Sequence, residues 1–88
     1  MNVQFRVSFS KDIRNIKNHD LLSRIKEAIE RVEKAQNLQD ISNLKRLKGG
    51  SNCWRIRVGE YRIGLTIEND TVTFVRCLNR KEIYRYFP

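Results

Sequence analysis

The sequence predicts a single α+β domain in the order β-α-α-β-β-β: a four-stranded, mainly antiparallel sheet with a two-helix pair packed on one face. Three observations carry that prediction. Val3, Phe5, Val7 and Phe9 alternate with polar residues, the period of a strand with one buried face. Leu21, Leu22, Ile25, Ala28, Ile29, Val32 and Ala35 recur at helical spacing. Three later segments rich in β-branched and aromatic residues are separated by tight-turn signals. One sheet covered by a helical pair is the economical way to bury all these stripes. The 88 residues make one domain, 1–88, and leave no room for a second.

Each element follows from local chemistry. The first strand is expected to run through Phe9. Ser10 then offers an N-cap, Asp12 suits the positive end of the helix dipole, and Ile13 and Ile16 give a short first helix ending near Asn18-His19. Asp20 is expected to cap the second helix. There Glu27–Arg31 and Glu30–Lys34 add acid-before-base pairs four residues apart, each contributing roughly 0.2–0.5 kcal/mol on an ordinary solvated face. Residues 36–52 read as connection, with a turn of helix over Asp40–Leu44 and a flexible link over Lys48–Asn52. The last three strands are expected at Cys53–Val58, Tyr61–Ile67 and Thr71 to about Leu78, joined by turns at Gly59-Glu60 and Glu68-Asn69-Asp70.

Composition narrows the function classes. No apolar run approaches the roughly 20 residues that span a bilayer, and the N-terminus has no basic segment followed by an apolar one. The expectation is a cytoplasmic protein with no membrane role. Cys53 and Cys77 stand 24 positions apart with a single histidine in the chain, so the clustered ligands of a zinc site are missing, and no metal or cofactor is expected. Both cysteines fall in strands and read as buried small hydrophobes. His19 reads as a turn residue.

Charge points to a partner. The net charge is +8, and it is uneven: residues 1–40 hold eight Lys/Arg and six Asp/Glu, residues 41–88 hold ten and four. Surplus positive charge in one half of a small domain favours a polyanion. In Cys53–Val58 the arginines Arg55 and Arg57 alternate with Trp54, Ile56 and Val58, so both leave one face of the strand. Arg62 shares a face with Gly64 and Thr66, the tight turn brings it near Arg57, and Arg80 follows the last strand. Like charges repel, so folding alone gives no reason to collect four guanidinium groups, whereas a phosphate-rich ligand does. Tyr84 and Tyr86, with Trp54, offer surfaces on which unpaired bases can stack.

Three segments resemble the signature of RelE/ParE superfamily toxins: Leu47-Lys48-Gly49, Trp54 through Ile63 with its R-x-R-x-G-x-Y-R pattern, and Asn79 through Tyr84. The order and length of the preceding elements agree, so the resemblance covers nearly the whole chain. It implies the toxin half of a type II toxin–antitoxin system, of the RelE-like branch: a metal-independent, ribosome-dependent mRNA endoribonuclease. The alternative it implies is a ParE-like toxin that inhibits DNA gyrase. A basic RNA- or protein-binding module is a third reading.

The positions that match the RelE-branch functional residues are Arg55, Arg57, Arg62, Arg80 and Tyr84. By that resemblance Arg62 and Arg80 clamp the phosphate, and Tyr84 stacks on a base or orders the 2′-OH. Lys45 and Lys48 grip ribosomal RNA, and Tyr86 adds an RNA-binding surface. The family often has lysine where this chain has Arg55 and Arg57, and glycine-histidine where it has Leu78-Asn79. Arginine stays protonated, so these side chains stabilise charge but do not accept a proton. The implied partners are the ribosome, messenger RNA and a cognate antitoxin whose acidic or amphipathic segment covers the basic site.

Overall fold

The first strand is shorter than the alternation predicts. In the computed structural model, which describes residues 1–88, it covers Asn2–Phe5 (β1), and Val7 and Phe9 belong to the helix Val7–Arg14 (α1). The run satisfies two periods at once: Phe9, Ile13 and Ile16 also stand at i, i+4 and i+7. Helical geometry buries Phe9 and leaves Val7 in solvent, and Ile16 is buried just past the helix end. The extended residue before the helix is Arg6, with no side-chain cap, so Ser10 is not the N-cap. Phe5, Phe9 and Phe74 form a ring cluster with centroids 5.3–5.8 Å apart.

The second helix, His19–Lys34 (α2), is capped by Asn18, whose Oδ1 accepts from the Leu21 N–H at 3.1 Å. Asp20 therefore does not cap the helix but sits in its first turn, where the dipole favours its charge. His19 is exposed at the first helical position rather than in a turn.

The connection is more structured than expected. A 3₁₀ turn covers Leu38–Asp40, and Leu44–Arg46 is a strand (β2) where a turn of helix was expected to end. The remaining strands are Cys53–Val58 (β3), Tyr61–Glu68 (β4) and Thr71–Asn79 (β5), followed by a short helix, Ile83–Tyr86 (α3). The sheet thus has five strands rather than four, in the order β1-β5-β4-β3-β2. β1 lies parallel to β5 and every other pair is antiparallel. The α+β class stands. A three-residue edge strand is too short to show a period, and only its pairing with β3 defines it.

The main core lies between the sheet and the two long helices. Ile25 and Val32 of α2 and Phe9 of α1 meet Ile56, Val58, Ile63, Leu65, Val72 and Phe74. A smaller cluster of Cys53, Ile83 and Phe87 lies under the C-terminal segment, with Leu47, Val75 and Leu78 against it. Both cysteines are free and buried, in separate clusters.

Where β1 stops, α1 takes over the exposed edge of β5. Ser8 Oγ donates to the Val75 carbonyl at 2.6 Å, and Asp12 accepts from the Cys77 N–H at 2.9 Å. Two backbone groups that would otherwise lack partners at a sheet edge are satisfied by helix side chains.

Candidate functional site

The arginines gather on the sheet face opposite the long helices. Arg57 and Arg62 are direct cross-strand partners, and Arg55 lies opposite Gly64. The turn that sets this register is Gly59-Glu60, with Gly59 at φ +58°, a left-handed conformation that a glycine adopts without a Cβ clash. Arg62 folds back over the turn: its Nη1 donates to the carbonyls of Gly59 and Tyr61, each at 2.9 Å. Arg55 Nη1 donates to the Asn43 carbonyl at 2.7 Å. Arg80, just past β5, donates its N–H to the Glu60 carbonyl at 2.8 Å and pairs through Nε with Glu60 Oε2 at 2.9 Å. That ion pair lies in solvent, where such pairs contribute little, so it leaves Arg80 available to a ligand.

Electrostatics shows that these side chains share one field. Burial lowers the pKa of the Arg62 guanidinium below the ordinary arginine value, and Arg55, Arg57 and Arg80 lower it further. Tyr84 acts in the opposite direction on the same group. The other four residues singled out from the sequence therefore surround Arg62, which remains a cation at neutral pH and serves as a fixed donor rather than a proton acceptor. Glu60 is the one carboxylate bound to this set.

The aromatic residues divide. Tyr84 projects from α3 into solvent beside the arginines. Tyr86 is also exposed, but its ring lies under the Arg76 guanidinium, 5.1 Å from the centroid. Trp54 faces the helices, partly buried against the main core, with Arg46 5.7 Å from its ring. The expectation that Trp54 adds a stacking surface fails, because alternation along β3 sends it to the opposite side from Arg55. Lys45 pairs directly with Arg55 across β2 and β3 and so extends the basic face. Lys48 is exposed just beyond β2, in the loop before β3.

The C-terminal segment closes one side of the site. Phe87 lies flat on Gly64: a Cβ there would stand 2.6 Å from the ring. The sheet face that carries the arginines is thus covered at its centre by Phe87 and Ile83, and the arginines ring this cover. Sequence reasoning missed the α3 segment because its four helical residues are too few to show periodicity.

Two further arginines were also missed. Arg76 Nε and Nη2 donate to Asp12 at 2.8 and 3.1 Å across 64 residues of chain. The bond to Asp12 raises the Arg76 pKa above the ordinary arginine value against the effect of burial, and the charges of Asp12 and Tyr86 add to the rise. Arg24, which the helical pattern assigns to a solvated face, reaches from α2 to the β3–β4 turn, its Nη1 3.0 Å from where a Gly59 Cβ would be.

A basic arginine face on a β-α-α-β-β-β-β domain with a helical C-terminal cover defines a class of small toxin-like fold. A family model described as the ParE toxin of the type II toxin–antitoxin system, parDE, matches residues 3–84, and the chain belongs to that family, within the RelE/ParE superfamily. It is 44% identical to toxin RelE3 of Methanocaldococcus jannaschii over 89 aligned positions, covering 100% of both proteins. It is similar to the toxin fold in the crystal structure of the RelB–RelE antitoxin–toxin complex from Methanococcus jannaschii, with a TM-score of 0.81 and 40% identity over 97% of this chain and 99% of that one. The archaeal RelE–RelB complex from Pyrococcus horikoshii shares the fold at 16% identity, with a TM-score of 0.72 over 90% of this chain and 93% of that one.

Proposed function

We propose that this toxin is a ribosome-dependent endoribonuclease that cuts messenger RNA in the cytoplasm and so blocks translation. The observation that carries the reading is the gathering of Arg55, Arg57 and Arg80 around Arg62, with Tyr84 beside them and one exposed carboxylate to offset the charge. The similarity to RelE-named toxins supports it.

The reaction needs a phosphate held in line and charge stabilised as it develops. The ribose 2′-oxygen attacks the adjacent phosphorus, the P–O5′ bond breaks, and the products are a 2′,3′-cyclic phosphate and a 5′-OH. The 2′-OH loses its proton and the leaving 5′-oxygen gains one. Arg62 and Arg80 clamp the non-bridging oxygens, because fixed charge-assisted donors aimed at developing charge are commonly the largest catalytic contribution. Arg55 and Arg57 add field but take no proton, so proton transfer falls to Tyr84 or to water. Tyr84 also has the exposure to stack on a base or order the 2′-OH. Lys45, Lys48 and Tyr86 provide flanking contacts to the RNA.

The two solved relatives above are antitoxin complexes, and the +8 charge supports a cognate antitoxin for this chain, with an acidic or amphipathic segment over the basic face. The family description, which names a ParE toxin, favours a second reading: inhibition of DNA gyrase without RNA cleavage. A coupled translation reaction and a gyrase supercoiling assay separate the two. Message cut at A-site codons with supercoiling unaffected supports the nuclease; intact message with supercoiling blocked overturns it.

A further inference from the structure

A cavity of about 220 Å³ opens between α2 and the edge of the sheet where β2 meets β3. Its polar lining is Arg24, Glu27 and Arg31 from α2, Ser42 and Asn43 before β2, and Arg57 from β3, over an apolar floor that includes Ile56. The chain's two ion pairs are Asp12–Arg76 and Glu60–Arg80, so none of these three arginines has a carboxylate within 4.0 Å, Glu27 included. Arg24 and Arg31 stand over this concavity with no carboxylate bound, and Arg57 closes its β3 edge while its guanidinium belongs to the field around Arg62. A low-dielectric floor focuses the charge of the two helix arginines. Folding does not explain the arrangement. A bound anion does.

The position of the cavity says which anion. Arg57 belongs both to this lining and to the field around Arg62. Gly59 is flanked from two sides, with Arg62 on its carbonyl and Arg24 Nη1 3.0 Å from where its Cβ would be. The cavity and the arginine face are therefore adjoining parts of one basic track around the β3–β4 turn. Arg24 and Arg31 stand seven residues apart on the same side of α2, about 10 Å along its axis, so they flank an extended ligand rather than grip a point. We propose that this cavity is a second phosphate subsite, distinct from the Arg62–Arg80 clamp, that takes a phosphodiester of RNA flanking the strand on the arginine face. This inference rests on the RNA reading given above. An acidic peptide would also match the charge, but the shared Arg57 and the small volume favour a strand that continues from the arginine face.

The test is equilibrium binding across a range of salt. Wild type, Arg24→Gln/Arg31→Gln and Arg24→Lys/Arg31→Lys are each titrated with a short single-stranded oligoribonucleotide and with ribosomes free of message. The glutamine pair is expected to bind about tenfold or more weakly, with a salt slope shallower by roughly 0.7 for one lost phosphate contact. The lysine pair keeps the charge and is expected to restore the slope, which a merely structural role for these residues would not predict. A loss on the oligoribonucleotide assigns the subsite to the message strand, and a loss confined to ribosomes assigns it to ribosomal RNA; both support an RNA phosphodiester. Unchanged slopes on both probes overturn the subsite, including the case in which only binding of an acidic antitoxin peptide is weakened. Cleavage by wild type and Arg62→Ala, measured in parallel, keeps the two ideas apart. A shallower slope in a protein that cuts nothing upholds the subsite and removes the nuclease; cleavage lost in Arg62→Ala with slopes unchanged in the glutamine pair does the reverse.

Discussion

The carboxylate of Asp12 on α1 holds three donors of β5 at once: Arg76 Nε at 2.8 Å, Arg76 Nη2 at 3.1 Å and the backbone N–H of Cys77 at 2.9 Å. Asp12 is 8% exposed and the Arg76 side chain 23%. A buried carboxylate survives only when paired and hydrogen-bonded, and here both conditions are met. The same contact pins α1 to the edge of β5 and presents Arg76 to the Tyr86 ring, so it anchors the helix, the sheet and the C-terminal segment together.

Removing one partner strands the other. Asp12→Ala leaves the Cys77 N–H and the Arg76 guanidinium unsatisfied, and is expected to destabilise the domain by about 3 kcal/mol. Arg76→Ala is expected to cost less, about 1–2 kcal/mol, since Asp12 keeps the Cys77 N–H and Arg76 is partly in water. Urea denaturation of both single variants and the double variant gives the coupling, which should be positive. Equal, additive losses would contradict a direct bond.

Gly64 and Phe87 make a second coupled pair. A methyl group at position 64 would stand 2.6 Å from the Phe87 ring, so Gly64→Ala must lift the C-terminal segment off the sheet, at a cost of about 1–3 kcal/mol. In a Phe87→Ala background the same substitution is expected to cost close to nothing. Limited proteolysis near the C-terminus reads the release directly: faster cleavage in Gly64→Ala than in wild type is expected.

Some of this architecture was legible in the sequence and some was not, for physical reasons. Arg57 and Arg62 could be placed side by side because a tight turn at Gly59-Glu60 fixes register over short range. Arg80 and Tyr84 were singled out for charge and for stacking, the resemblance gave them roles, and the electrostatics of Arg62 gathers them. The end of β1 was hidden because a V-x-F-x-V-x-F run fits a strand, while Phe9, Ile13 and Ile16 fit a helix equally well. β2 and α3 were hidden because three and four residues carry no period; long-range pairing and the Phe87–Gly64 contact define them. Asp12 read as an ordinary helix-start acid because its partners lie 64 and 65 residues away. Arg24 read as solvated because nothing local shows that α2 passes the β3–β4 turn.

Cys77 makes the stability depend on pH in the alkaline range. Burial, then the neighbouring Asp12 charge, push its thiol from 9.0 up to about 12. A group whose pKa is raised on folding contributes fully below its unfolded value and loses that contribution as pH rises through the folded one. The window is therefore about pH 9 to 12, with a loss approaching roughly 4 kcal/mol at its upper end. Other groups titrate there too, so the measurement is the stability difference between wild type and Cys77→Ala, expected to shift against wild type across that window. A difference that stays flat would count against a protonated buried thiol. At neutral pH the native protein is expected to resist alkylation at Cys77 until it unfolds.

Association with an antitoxin should depend steeply on salt. A domain of net charge +8 steers an acidic segment electrostatically, and screening shortens that reach as ionic strength rises. Stopped-flow mixing at increasing salt should show the association rate falling at least tenfold, with a smaller effect on dissociation. A rate indifferent to salt would exclude the basic face as the docking surface.

The most direct test of the arginine face as a catalytic site is single-turnover cleavage of a defined message on programmed ribosomes, with the new ends analysed chemically. Wild type is expected to leave a 2′,3′-cyclic phosphate upstream and a 5′-OH downstream of an A-site cut. Arg62→Ala is expected to slow that step about 10²- to 10³-fold, as removal of one preorganised donor does elsewhere. A cut that proceeds at the wild-type rate in Arg62→Ala, or a wild-type protein that leaves the message whole, would contradict catalysis at this face.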